Sequence, residues 1–247
     1  MKIAEYIDVL ETAGRALAVA AAEAGPDAEV PTCPGWRVRD LLRHTSMVHR
    51  WATDLVVEAH TTYRPDGGET TLDGDELLAF FREGHAALVA ALRAAPESLE
   101  CWTFLPAPSP LTFWARRQAH ETTVHRADAE SALTAGPGPV ESSVAVDGID
   151  ELLLHFHGRD RSRVRTAGPR TLRVRATDTG EVWTVRLSAT EPPRTERGDG
   201  ATGAVDAELV GAADRLYLAL WNRLPFDAMT FTGDEEIARV WRETSGV

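Results

Sequence analysis

Cysteine is scarce in this chain, with only Cys33 and Cys101 in 247 residues. The two share no metal-type spacing and do not make a disulfide framework, so a reducing compartment is expected. Basic residues are outnumbered by acidic ones, 26 to 38, for a formal net charge of −12. Nucleic acid and anionic membrane would both repel such a chain, which excludes a general affinity for either. No run approaches the roughly 18 apolar residues that a membrane span needs. Glu5, Asp8 and Glu11 interrupt the apolar segment that a signal peptide would require. A cytoplasmic protein, monomer or small homo-oligomer, is the expectation.

Hydrophobic residues at 43% and charged residues at 26% describe a globular chain, long enough for one large domain or two ordinary ones. Residues 2 to 24 carry Ile3, Tyr6, Ile7, Leu10, Ala13 and Leu17 at helical spacing, and Gly25-Pro26 stops the run. After a Pro/Gly loop at 30 to 36, VPTCPGW, a second helix is expected from Val38 to His60. A third spans Asp73 to Ala94, and a fourth spans Leu111 to Leu133, closed by Gly136-Pro137-Gly138-Pro139. Four long helices without an intervening strand pattern predict a four-helix bundle over 1–139.

Beyond that point the pattern changes. Val144 to Phe156 reads as a helix, whereas Thr171 to Thr177 and Val182 to Ser188 alternate as half-buried strands do, around the turn Asp178-Thr179-Gly180-Glu181. Residues 190 to 203 are turn-rich. Val205 to Val210 and Met229 to Phe231 are short strand candidates, and Ala212 to Trp221 and Asp234 to Arg242 are helices. The two-domain reading is a helical bundle at 1–139 followed by a small α+β domain at 140–247.

The chemistry concentrates on Trp114 to Glu130, WARRQAHETTVHRADAE. Residues four apart on a helix lie about 40° apart around its axis, so Glu121 and His125 project from one face toward one cation. His120-Glu121 with His125 imitates the H-E-x-x-H zinc motif, but its histidines are five apart instead of four. Five residues turn the helix by about 500°, so His120 points about 140° away from His125. Two ligands hold a catalytic metal poorly. His44 on the second helix is the best third candidate and His49 its competitor; one of the two is expected to bind. Two histidines and a carboxylate leave coordination positions open, suit Zn²⁺, and can also hold Fe²⁺ or Ni²⁺.

Pro31-Thr32-Cys33-Pro34-Gly35-Trp36, then Val38, Asp40-Leu41-Leu42, His44 and His49-Arg50-Trp51, resembles the N-terminal signature of mycothiol-dependent maleylpyruvate isomerases. These belong to the DinB-like metal-binding bundles. His120 to Glu130 resembles the family's second signature. The resemblance implies His44, Glu121 and His125 as metal ligands, with mycothiol as a thiol co-substrate. It also implies an actinobacterial cytoplasm and isomerase or thiol-transferase chemistry on a small electrophile. The C-terminal part resembles the family's sterol-carrier-like α+β domain, carried by Leu220-Trp221-Asn222-Arg223 and Phe231-Thr232-Gly233-Asp234. Arg223 matches the arginine thought to meet the anionic substrate, and Asn222 stands where the family usually has Gly. His49 and Trp51 are candidates to line the thiol pocket. Cys33 reads as a loop residue, and the seven arginines from Arg159 to Arg175 as a solvated strand face. Two other readings of the scaffold stay open, a non-catalytic metal or ligand-binding module and a lipid carrier.

Overall fold

A computed structural model describes residues 1–198 and 203–246. The chain divides into two compact units, Met1–Gly138 and Pro139–Val247. The first is a bundle of α1 (Ile3–Ala24), α2 (Val38–Val57), α3 (Gly74–Ala94) and α4 (Pro110–Ser131). The first three turn an apolar stripe inward, whereas α4 is buried around most of its circumference, with Arg117, Gln118, His120 and Thr122 inside as well as apolar residues. Leu10 and Leu17 of α1, Leu41 and Leu55 of α2, and Leu77, Phe81 and Leu88 of α3 are fully buried. α4 begins on a Ser109 N-cap, whose side chain accepts from the Thr112 amide at 3.1 Å, with Pro110 in the first turn.

The helices run up, down, down, up. Arg93 near the end of α3 meets Asp8 and Glu11 near the start of α1, so α1 and α3 are antiparallel. Arg43 reaches the Leu72 carbonyl just before α3, and Arg50, two turns on, reaches the Phe80 carbonyl. α2 and α3 are therefore parallel, and the connection 58–73 must return along the bundle. On the other side, His44 faces Glu121 and Trp51 packs edge-on against Trp114, so α2 and α4 are antiparallel. α1 and α2 stand diagonal, as do α3 and α4. This topology makes α2 and α4 neighbours, although 52 residues separate Val57 from Pro110 in the sequence.

The second unit carries α5 (Ser142–Asp150), a five-stranded sheet, α6 (Ala213–Leu220) and α7 (Glu235–Thr244) among the described residues. The strands are β1 (Arg170–Ala176), β2 (Val182–Leu187), β3 (Arg194–Arg197), β4 (Ala207–Gly211) and β5 (Thr230–Gly233), in the order β3-β2-β1-β4-β5. β1 pairs antiparallel with β2, opposing Leu172 to Val185, and parallel with β4, opposing Leu172 to Ala207. Leu172, Val174 and Ala176 point into the core. Arg173 and Arg175 alternate to the other face, where Arg175 donates to Glu208 at 2.6 Å, so the arginine-rich stretch is a paired strand face there. Gly180 takes a φ of +75° in the turn between β1 and β2.

Two elements differ from the sequence expectation. The helix expected over Val144 to Phe156 changes at Glu151 into a six-residue π-helical segment, Glu151–Phe156. β3 lies inside the stretch read as turns. It has no apolar residue to betray it, and it survives as an edge strand held only by β2. Residues 199–202 of that stretch lie outside the described residues. No helix among those described is long and apolar enough to cross a membrane.

Candidate metal centre

α2 and α4 bring His44, Glu121 and His125 together. One ligand atom from each lies within 4.8 Å of the other two. Nε2 of His125 is 3.1 Å, and Nε2 of His44 3.5 Å, from the same Glu121 oxygen, Oε1. The other oxygen, Oε2, accepts a hydrogen bond from buried Arg117, one turn earlier on α4, at 3.1 Å. The two imidazoles meet edge-on at 5.1 Å. The His125 ring is buried, whereas about a quarter of the His44 and Glu121 side chains stays exposed, so the cluster opens to solvent on one side. Two imidazole nitrogens and a carboxylate oxygen, with an open side, are a donor set that fits a divalent metal with a free position.

The groups around Glu121 and His125 fix the charge of those two. Burial opposes charge on His125, but hydrogen bonds to Asp128 and Glu121 outweigh it and raise its pKa to about 9. Burial likewise works against the Glu121 carboxylate, yet His125, His44 and Arg117 hold its pKa well below the usual range. Nδ1 of His125 lies 2.8 Å from Oδ2 of Asp128, which has no exposed surface. Oδ1 of the same carboxylate accepts the Thr32 hydroxyl at 2.6 Å. Trp36 stacks near-parallel to His125, with ring centroids 6.4 Å apart, and tilts over His44 at 5.2 Å.

His120 faces away, toward Tyr6 of α1, as the five-residue spacing requires. His49, the competitor for the third ligand position, is wholly buried among α2, α3 and α4, with Nε2 held by the Thr122 hydroxyl at 2.9 Å. It presents no surface to a thiol arriving from solvent. Trp51 sits two turns beyond His44, donates to the Arg64 carbonyl at 2.7 Å, and lines a groove of about 510 Å³ under the 58–73 connection. Arg223 belongs to the second unit, in the turn after α6, where it donates to the Trp221 carbonyl at 2.8 Å. Asn222 before it has a φ of +61°, a conformation that favours Gly and that Asn tolerates better than most residues. Its amide donates to Ser245 Oγ at 3.0 Å and to the Arg242 carbonyl at 3.2 Å. Asn222 therefore holds a backbone conformation that Gly would also adopt.

The sequence offers Arg117 as a pairing partner for Glu121, which the structure shows, but sequence reasoning missed Asp128 as the partner of His125. Both signals were local, since Asp128 lies three residues after His125 and Arg117 four before Glu121.

The N-terminal domain of mycothiol maleylpyruvate isomerase matches residues 8–130, and the C-terminal domain of the same enzymes matches 143–239. A crystal structure of the mycothiol-dependent maleylpyruvate isomerase superposes with a TM-score of 0.65 at 14% identity, covering 94% of this chain and 93% of that one. A histidine-to-alanine mutant of the enzyme superposes at 0.64 and 12% identity, with the same coverage. No curated protein sequence matches the chain significantly. With both domain matches in chain order and the fold reproduced along nearly its whole length, this chain belongs to the mycothiol-dependent maleylpyruvate isomerase family.

Proposed function

We propose that this protein is a metal-dependent, mycothiol-using enzyme of the maleylpyruvate isomerase type, a cis–trans isomerase or thiol S-transferase acting on a small electrophilic, anionic substrate. The observation that carries this reading is the convergence of His44, Glu121 and His125 within 4.8 Å, open to solvent on one side. In it these three are the ligands, with zinc the metal that suits them best. Bound there, a divalent cation supplies the acidity that turns a coordinating thiol into a thiolate at neutral pH. The use of mycothiol would in turn imply an actinobacterial cytoplasm.

The chain's own residues do the rest. Arg117 occupies Glu121 Oε2 and so turns Oε1 toward the two imidazoles. Trp36 packs its indole against both rings from the 30–36 loop. In the isomerase reading, the thiolate sulfur adds to one carbon of a conjugated cis double bond. The electron pair moves onto the adjoining carbonyl, and the former double bond rotates as a single bond. Expulsion of the same sulfur then restores the alkene as trans, with no net change in protons or electrons. Arg223 is assigned the negative charge that appears on the substrate. In the transferase reading the sulfur stays attached, and a leaving group departs or a proton is taken up.

The test is to incubate metal-loaded protein with mycothiol and a panel of cis-dienoates and electrophiles. Thiol-dependent trans product supports the isomerase, and a stable thioether the transferase. No turnover across the panel, with metal bound, favours the non-catalytic binding module instead.

A further inference from the structure

The family signature PTCPGW contains none of the three converging ligands, yet the structure gives it a physical task. Residues 30–36 form a closed loop, with the Val30 amide donating to the Trp36 carbonyl and the Trp36 amide to the Cys33 carbonyl, both at 2.9 Å. Pro34 and Gly35 are the central pair of the Cys33–Trp36 turn, and Gly35 has a φ of +88°, which suits Gly at the third position of a type II turn. Immediately afterward, Asp40 accepts from the Arg37 amide at 2.9 Å and fixes the start of α2. Thr32 and Trp36 are thus held in one loop, from which Trp36 packs on both imidazoles and Thr32 reaches Asp128, the carboxylate behind His125.

We propose that Thr32 and Asp128 are positioning residues that make His125 a metal ligand through Nε2, and that the 30–36 loop is thereby part of the metal site. The proposal rests on the metal reading above. The Ser131 hydroxyl uses its hydrogen on the Asp128 carbonyl at 2.6 Å. The Thr32 hydrogen goes to Asp128 Oδ1 at 2.6 Å, which holds the carboxylate plane. The remaining oxygen, Oδ2, accepts from His125 Nδ1 at 2.8 Å. A carboxylate there keeps a proton on Nδ1, so the lone pair of the neutral ring lies on Nε2, the nitrogen aimed at Glu121 and His44. Trp36 lies along the His125 face at an interplanar angle of 20° and hinders rotation of the ring. One loop therefore grips His125 from behind and from above.

Thr32→Val removes the hydroxyl at nearly constant volume, and Thr32→Ser retains it. Zinc affinity is measured by chelator competition on the full-length protein, alongside ¹⁵N shifts of the His125 ring in the zinc-loaded state. Thr32→Val is expected to bind zinc about 10-fold more weakly, and Asp128→Asn up to about 100-fold more weakly. Thr32→Ser should recover most of the loss. Wild-type protein should show protonated Nδ1 and zinc-bound Nε2, with the pattern blurred in Thr32→Val. Equal affinity in wild type and Thr32→Val, or a Thr32→Ser protein as weak as Thr32→Val, overturns the relay while leaving the metal reading standing. A wild-type protein that binds no zinc overturns the metal reading and the relay with it.

Discussion

Arg117 and Glu121 form a hydrogen-bonded ion pair one helical turn apart on α4, with the arginine side chain only 2% exposed. The pair divides the carboxylate, giving Oε2 to the guanidinium and Oε1 to the imidazoles. Removing one partner leaves the other charge in a poor solvent without compensation. Arg117→Ala should therefore destabilise the metal-free protein by about 3 kcal/mol, read as a lower urea midpoint. Arg117→Lys keeps the charge but loses the planar guanidinium, so it should recover only part of that loss. An Arg117→Ala protein as stable as wild type would mean that Glu121 finds equal compensation elsewhere.

The three converging residues make a prediction about metal content. Purified wild-type protein should hold about one zinc equivalent, and His44→Ala and His125→Ala should each lose most of it. Elemental analysis after dialysis decides the matter, and full occupancy in either variant removes that residue from the ligand set. The two variants should differ in stability. His44 is partly exposed, whereas His125→Ala strands the buried Asp128 carboxylate without its imidazole. His125→Ala should accordingly unfold at lower urea than His44→Ala.

How much of this was legible beforehand can be judged from particular residues. The first three bundle helices announced themselves because each must bury a stripe at helical spacing, and α4 because proline- and glycine-rich turns bracket it. β3 did not, because an edge strand of Arg194, Thr195, Glu196 and Arg197 buries almost nothing and so has no pattern to read. Glu121 and His125 were legible as a local pair. The choice between His44 and His49 depended on which way α2 rolls in the bundle, and packing on α3 and α4 turned His49 inward to Thr122. Thr32 was out of reach for the same reason, since its partner Asp128 is 96 residues away and only the up-down-down-up topology brings them together.

The protonation of His125 links stability to pH in the alkaline range. Its folded-state pKa of about 9 lies above the ordinary value near 6.5, so the folded metal-free protein holds this proton more tightly than the unfolded chain. That stabilisation is complete below about pH 6.5 and disappears as pH rises through about 9. Its upper bound is about 3 kcal/mol. The urea midpoint of chelator-stripped protein should fall between about pH 7 and 9.5, and His125→Gln should flatten that limb. Zinc affinity should move the other way and climb over the same range, because the metal must displace this proton.

Buried histidines shape the acid limb, His49 and His157 the most strongly shifted among them. Burial, reinforced by nearby His85, pulls the His49 pKa down to about 3, and burial with Arg159 pulls His157 down to about 4. Both stay neutral in the fold while the unfolded chain takes up protons below about pH 6.5. Stability should therefore decline as pH falls from about 6.5 toward 4. Circular-dichroism melts of wild type and His157→Gln across that range test it. His157 packs on Trp241 with ring centroids 4.9 Å apart, and its loss removes one titrating group from the second unit. The variant should lose less stability on acidification, and an unchanged acid slope would show that His157 contributes nothing to it.

Gly14 of α1 packs directly against His85 of α3. A methyl group on Gly14 would lie 2.3 Å from Cε1 of the His85 ring, far inside van der Waals contact. The ring is held on three sides, stacking on Phe81 at 6.0 Å, packing against His49 at 5.5 Å and sitting 3.3 Å from the Glu11 carbonyl, while a cavity of about 300 Å³ lined by Gly14 and His85 borders it. Replacing a mid-helix Gly with Ala usually stabilises by about 1 kcal/mol through helix propensity. Overpacking costs about 1–3 kcal/mol, and here the ring can yield only by leaving its three partners. Gly14→Ala should therefore lower the thermal midpoint despite its better helix propensity. Trimming the obstruction reverses the sign, so adding Gly14→Ala to a His85→Ala background should raise the midpoint. Stabilisation by Gly14→Ala in both backgrounds would mean that α1 and α3 separate more easily than their packing indicates.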